Sequence, residues 1–579
     1  MLSLNGRFNL THVSFSREGS KMCIFENASD GKLFLSLSRI SDTHESVRAN
    51  LIRLVPVFED KELPFTYFAD PSLLRIDTEY GKIDFCFPEK DYVYVRSMGR
   101  VGLRFEIQSL PGEAFCPVED GSCELNLGIY GQFLIVPLVG ALMKDTSDAD
   151  ESFHHDTLAF ELDPNGERNF ICAIHEFEGS AHRHANYPHF FSAAASVSGL
   201  FDGFCRRFAA VPDEYKEISQ YAIYTLWSQR MSTWAHPDKL LTFLHNVYPG
   251  RAYLWHQFIH AAALFSDPDE AFNLLCSAFS FQSPLGGSLP VWADYFVADC
   301  QSRSLPVEGF ALDFLMHRTD ADALEDEKCE LLYSAISRLT HTWLDGGESE
   351  AGDLSSPRHN GTADFNESAV VLEGAEKSPD YLTLLILLAS ACEKLAARCG
   401  KTADAKKWQH KMQHLVYQLC NDFWNGKKFA PLAYDAHREC GNHFASSYLP
   451  VILGNRLPDE IIDAVAAQIP LDSDFLSAPQ LRSSGETQKK DSDLLIDPLC
   501  VQTLLAIGLF DAGKKDSAKA IEKNICDRIK EHGIISGSSF CACGETADAH
   551  SSGSSNAAPW SSLTASCFMI LASLILREE

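Results

Sequence analysis

The sequence predicts an antiparallel β-sandwich domain followed by an all-α domain built from helical hairpins. Three observations carry this. The apolar periodicity changes from strand-like to helical near residue 190. Before that point, short β-branched and aromatic runs alternate with turn residues. After it, amphipathic runs come in pairs whose connections are alternately short and long.

The strand runs are KLFLSLSRI (32–40), LIRLVPVF (51–58), KIDFCF (82–87), YVYVRS (92–97), VGLRFEIQS (101–109) and FLIVPLVG (133–140). Pro-Gly at 111–112 and Pro-Asn-Gly at 164–166 punctuate them, and TLAFELD (157–163) and FICAIHEFE (170–178) close the set. About ten strands in this length make two stacked sheets the natural solution. Residues 1–190 are therefore read as a β domain, 191–214 as a helical linker and 215–579 as the helical domain.

Helical spacing is evident in SAAASVSGLFDGFCRRFAAV, DEYKEISQYAIYTLWSQRM, DYLTLLILLASACEKLAARC, ADAKKWQHKMQHLVYQLCNDFW, CVQTLLAIGLF and DSAKAIEKNICDRIKEHG. Around a dozen such helices fit two concentric rings with every long loop at one end, the plan of an (α/α)6 barrel. Periodicity alone equally allows an α-solenoid. The polar segment 477–493 reads as a surface loop.

The chain has 579 residues, 45% hydrophobic and 22% charged, enough for large buried cores. A formal charge of −30 argues against nucleic acid or an anionic membrane as partner. MLSLNGRFNLTHVSF lacks a basic start followed by an apolar core, so no secretory signal is expected. LTASCFMILASLIL is too short to span a bilayer and reads as a buried helix. The 18 cysteines follow no framework spacing, which suggests reduced thiols and a cytoplasmic location. Cys541 and Cys543 with His550, and Cys440 with His443, lack the paired spacing of a structural zinc site, so no metal or other cofactor is expected. No phosphate loop, dinucleotide turn, H-E-x-x-H or nucleophile elbow is present.

Leu226-Trp227-Ser228, then Trp255-His256 with Phe258, then Asp267-Pro268-Asp269-Glu270 stand in one order and spacing. GGSLPVWAD (286–294), SLPVEGFAL (304–312) and RHNGTADFNESAVVLEGAEKSPD (358–380) follow. Together they resemble glycoside hydrolase family sixty-three and its bacterial relatives, the mannosylglycerate and glucosylglycerate hydrolases. The resemblance holds from about 215 to 395 and implies an (α/α)6 barrel rather than a solenoid, preceded by a β domain, with a carbohydrate as substrate. The loop at 358–380 matches the family's H-H-G-N-D-S-G-W-D-N-S-T-V-F…E-S-P-D without a gap.

An inverting glycosidase needs one carboxyl group to protonate the leaving oxygen and another to activate water, roughly 6.5–9.5 Å apart. The resemblance places the family's acid at Asn366 and its tryptophan at Phe365. An amide has no titrating proton to give. Asp364 and Glu367 beside it are the candidate replacements. The family's substrate-binding aspartate falls on His256, which can still hydrogen-bond a hydroxyl, and His359 falls on a histidine of the loop. Its lysine and histidine become Ser304 and Glu308, and Glu308 either faces the pocket or pairs with Arg303 or Arg358. DPLCVQTLLAIGLF (497–510) resembles a further helix start, with Asp497 and Cys500 replacing the glycine and tryptophan. The family's base lies in a loop before a Trp-Ser helix start. Trp560-Ser561 survives here, and Glu545 is the nearest carboxylate in FCACGETADAHSSG (540–553).

The catalytic candidates are thus Asp364, Glu367, Glu308 and Glu545, and the sugar-contact candidates Trp255, His256, Trp292, His359, Phe365, Asn366 and Trp560. Trp227 and Trp424 read as packing residues. Three functions remain open: a divergent glycosidase with relocated carboxylates, a lyase, epimerase or phosphorylase on the same barrel, and a non-catalytic sugar-binding protein. A carbohydrate is the one partner the sequence points to, and it carries no signal for oligomeric state.

Overall fold

A computed structural model describes residues 8–37, 50–108, 114–118, 120–144, 157–164, 169–180, 183–244, 250–283, 287–296, 298, 306–320, 324–345, 375–377, 379–430, 432–433, 448–469, 498–534 and 560–577. The N-terminal part forms two antiparallel sheets, consistent with a β-sandwich followed by a helical domain. The first sheet has the order β1 (Met22–Glu26), β2 (Leu33–Leu37), β3 (Ile52–Phe58), β9 (Gly102–Gln108), β14 (Thr157–Asp163) and β13 (Ala141–Lys144), with β4 (Lys61–Glu62) on β3. The second runs β10 (Ala114–Pro117), β11 (Cys123–Asn126), β12 (Gln132–Val139), β15 (Ile171–Phe177), β8 (Tyr92–Gly99), β7 (Gly81–Glu89), β6 (Leu74–Thr78) and β5 (Thr66–Ala69).

Opposite charges placed directly across from each other pin the register. Arg75 faces Asp84 and binds it with two hydrogen bonds of 2.7 and 3.0 Å. Arg53 faces Glu106 at 2.8 Å, and Arg104 faces Glu161 at 3.2 Å. The runs read as strands in the sequence are strands, whereas β1, β4, β5, β6, β10, β11 and β13 were not among them. Each has five residues or fewer, so pairing rather than composition decides it.

The helical part opens with α1 (Phe190–Cys205) and α2 (Lys216–Ser228). It continues with α3 (Leu254–Ala263), α4 (Pro268–Phe279), α5 (Glu308–Arg318), α6 (Asp326–Asp345), α7 (Pro379–Arg398) and α8 (Thr402–Gln418). A 3-10 segment, Leu449–Arg456, precedes α9 (Asp459–Ala466), α10 (Pro498–Asp511), α11 (Lys515–His532) and α12 (Ser562–Arg577). α3 packs on α5, α5 on α7, α7 on the 3-10 segment, that segment on α10, α10 on α12, and α12 back on α3. The remaining helices lie outside this circuit: α2 against α12, α4 against α3, α6 and α8 against α7, α9 against the 3-10 segment, and α11 against α10 and α12.

Burial follows the same division. Every residue of α3 is buried, whereas α8 buries only Ala405, Trp408 and Leu415. A helix apolar all round belongs inside, and a one-faced helix belongs outside. The helices run from 8 residues in α9 to 20 in α6 and α7, with 10 in α3 and 11 in α5. The 3-10 segment was not foreseen. Pro450 opens it, and Gly454 breaks it with a φ of 53°.

Glycine lets the inner elements approach closely. A Cβ at Gly309 would meet Leu388 N at 2.3 Å, and one at Gly508 would meet Ile452 Cα at 2.5 Å. Farther along α5, Asp313 accepts from Ser390 at 2.7 Å and pairs with Lys394 at 2.8 Å and Arg456 at 2.7 Å. Burial works against that carboxylate, but Arg456 and Lys394 outweigh it and hold the pKa below the usual range.

The sheets and helices meet through the N-terminal segment. Phe8 stacks on Tyr224 with centroids 4.1 Å apart, and Tyr224 Oη accepts from Ser16 N at 3.2 Å. Trp560 N donates to His12 O at 2.9 Å. Arg230 pairs with Glu18 at 2.9 Å. Among the described residues no helix is long and apolar enough to cross a membrane, and the described cysteines are free thiols.

Candidate functional site

The connections that precede the inner elements are long: 229–253, 280–307, 346–378, 419–448, 467–497 and 533–561. Those that follow them are short: 264–267, 319–325, 399–401, 457–458 and 512–514. Gly309 abuts Leu387–Leu388 and Asp313 meets Ser390 and Lys394, so numbering climbs together along α5 and α7. Ile452 meets Gly508 and Gly454 meets Asp511, the same sense for the 3-10 segment and α10. Neighbours that run in the same direction present their first turns, and the long connections before them, at one end.

Glu308 is the first residue of α5 and is 0% exposed. Neither carboxyl oxygen has a hydrogen-bond partner among the described residues. Burial pushes its pKa up to about 8, against an opposing pull from its own backbone N–H. The group therefore holds its proton at neutral pH. A buried carboxyl group without partners is costly to keep and marks a position shaped by something other than packing. No described cation pairs with it, and Arg303 and Arg358 lie outside the described residues. A second fully buried carboxyl group, Asp380, stands in the first turn of the adjacent helix α7.

Trp255 and His256 occupy the first turn of α3, both buried. The His256 ring meets Trp255 edge-on with centroids 4.1 Å apart and tilts against Tyr253 at 4.9 Å. Trp292 pairs with Tyr253 across two short strands, Ala252–Tyr253 and Trp292–Ala293, which were not legible beforehand. Arg251 lies over the Trp292 ring at 4.2 Å, and the half-buried ring packs against the core. Gln257 holds the entry to α3 in place: its amide takes Thr242 N at 2.8 Å and gives to Thr242 O at 2.7 Å. Trp560 packs between His12, at 6.1 Å, and Tyr221, at 5.4 Å, and is 9% exposed. Trp227 is buried against Phe201, and Trp424 tilts on Phe429. Asp364, Glu367, His359, Phe365, Asn366 and Glu545 lie outside the described residues, as do Ser304, Asp497 and both cysteine–histidine groups.

Sequence reasoning overlooked His260, four residues after His256 on the same helix face. Its Nδ1 lies 2.8 Å from Ser566 Oγ and its Nε2 3.4 Å from Ser562 Oγ, tying α3 to α12. Burial, helped by Arg230, lowers its pKa from 6.5 to about 3. The folded state thus favours the neutral ring. That stabilisation is complete above pH 6.5 and disappears as pH falls toward about 3, at about 1.4 kcal/mol per pH unit. His260→Gln should flatten this acid limb in urea-melt midpoints taken against pH. An acid limb as steep as that of the native protein would contradict the assignment.

No family model matches the chain, and no curated protein is similar to it in sequence. Among solved structures it is similar to a bacterial glucoamylase complexed with acarbose, with a TM-score of 0.53 at 10% identity over 99% of this chain and 96% of that one. A GH92 family glycosyl hydrolase matches at 0.49 and 11% over 90% and 78%. A GH63 mannosylglycerate hydrolase from Thermus thermophilus, complexed with glucose, matches at 0.43 and 12% over 61% and 99%. The glucoamylase likeness shows a shared fold across nearly the whole of both chains, and the two weaker ones add nothing to it.

Proposed function

We propose that this protein is a divergent glycoside hydrolase acting on a small glycoside or oligosaccharide, with inversion, at one end of an (α/α)6 barrel. The closed circuit of six inner elements, with helices packed outside it, supports the barrel. The fold shared with glucoamylase supports a carbohydrate-active protein, although fold by itself is weak evidence for chemistry. The observation that carries the reading is Glu308, buried, without a hydrogen-bond partner among the described residues and protonated at neutral pH.

In this reading Glu308 gives its proton to the leaving oxygen as the glycosidic bond breaks. Its raised pKa is what a general acid working near neutrality requires. A carboxylate from the long connections, Asp364, Glu367 or Glu545, takes a proton from the attacking water. Trp255, Trp292, Phe365 and Trp560 supply faces for the apolar side of the ring, and His256, His359 and Asn366 supply hydrogen bonds to hydroxyls. The compartment proposed is the cytoplasm. Asn366 at the family's acid position favours one other reading, a sugar-binding protein that has lost hydrolysis.

A panel of nitrophenyl glycosides and disaccharides, with Glu308→Gln and Asp364→Asn beside the native chain, tests this. Hydrolysis by the native protein should fall by roughly 10²–10⁴-fold in Glu308→Gln. Activity unchanged in both variants would sink the residue assignment. Saturable sugar binding without turnover would replace the hydrolase by the binding protein.

A further inference from the structure

A separate cluster lies in the β part, where the second sheet meets the chain leading into α1. His175 of β15 stands directly opposite Tyr92 of β8, so their rings share a face and stack with centroids 4.8 Å apart. Asp91 ends the β7–β8 turn, and its backbone oxygen accepts from Glu176 N at 2.8 Å, which fixes it beside β15. The chain then returns with His184, whose Nε2 lies 3.6 Å from Asp91 Oδ2 and whose ring centroid lies 4.8 Å from that of His175. Tyr187 Oη lies 2.8 Å from His175 Nε2.

We propose that Asp91, His175 and His184 bind one divalent transition-metal ion, zinc by donor type, which clasps the segment entering α1 onto the sheet. One ligand atom from each residue lies within 4.8 Å of the other two. Two imidazoles and a carboxylate are a borderline-soft donor set that suits zinc and not calcium or magnesium, which take oxygen ligands. Bonds of about 2.0–2.1 Å in a tetrahedron put ligand atoms about 3.3 Å apart, close to the His184–Asp91 spacing. The remaining closure falls to His184, which lies in an irregular segment between β15 and α1. The contact from Tyr187 fixes the plane of the His175 ring, as outer contacts do for metal-binding imidazoles. His175 is buried, whereas the Asp91 and His184 side chains are 43% and 26% exposed, which gives the ion a way in. Three protein ligands leave a fourth position for water.

The test uses the full-length protein, stripped with a chelator and titrated with zinc by calorimetry and with cobalt by absorption. Native protein should take up one equivalent, and its melting temperature should rise by about 2 °C at saturating zinc. His184→Ala and Asp91→Asn, both at partly exposed positions, should melt like native protein in chelator. They should lose roughly tenfold or more in zinc affinity together with the melting shift. Absence of stoichiometric uptake by the native protein would overturn the proposal. So would equal affinity in both variants, or a cobalt spectrum dominated by thiolate charge transfer.

Discussion

Glu308→Gln should leave the protein at least as stable as the native chain at pH 5 and clearly more stable at pH 8. A buried carboxyl group whose pKa rises from 4.5 to about 8 supports folding fully only below pH 4.5. That support is lost as pH rises through the folded value, at about 1.4 kcal/mol for each pH unit, a few kcal/mol in all. Glutamine has the same shape and no charge to bury, so its melts should decline less than those of the native protein over this range. The same substitution removes the proton that the proposed reaction uses. A variant that gains stability at alkaline pH while losing turnover is the signature of a group kept for chemistry rather than for packing. Parallel urea melts of the two proteins at pH 5 and pH 8 measure it.

Gly309→Ala should destabilise the fold by about 3 kcal/mol or more, against the ordinary expectation for a helix. Alanine in place of an interior glycine stabilises a helix by about 1 kcal/mol when nothing opposes it. At Gly309 the new methyl would lie 2.3 Å from Leu388 N and 2.5 Å from Leu387 C, backbone atoms of α7 that cannot turn aside. Separating α5 from α7 would open both faces of a packed helix pair and disturb the Asp313 knot between them. Gly199, within α1, has nothing within 4 Å of its Cβ position. Gly199→Ala should therefore stabilise by up to about 1 kcal/mol. Thermal melts of the two variants should move in opposite directions from the native protein.

Much of the fold was legible because the alternation of short and long connections is written in the chain itself. Runs such as DYLTLLILLASAC are apolar on every side, which only an inner helix tolerates. The 3-10 segment was hidden because Pro450 and Gly454 interrupt its apolar run, leaving too few residues for a period to emerge. The short strands of the second sheet, β5 with β6 and β10 with β11, owe their form to hairpin pairing, which four- or five-residue runs do not reveal by composition.

The site was read less completely. Sequence left Glu308 balanced between a pocket and a salt bridge, and only packing shows that it has no hydrogen-bond partner among the described residues. His260 looked like any histidine on an apolar face until Ser566 and Ser562 met its two nitrogens. Trp560 was read from its Trp-Ser motif alone, because its contact with His12 joins opposite ends of the chain. Asp91, His175 and His184 come from a turn, a strand and an irregular segment, with no spacing a motif could register.

Glu308 is proposed above as the proton donor of a glycosidase. The most direct measurement is kcat/KM against pH for a hydrolysed glycoside, with native protein and Glu308→Gln compared throughout. The native rate should fall on the alkaline side with a midpoint near the Glu308 pKa of about 8, and the residual rate of the variant should lack that limb. A variant with the native rate and the native alkaline limb would contradict it.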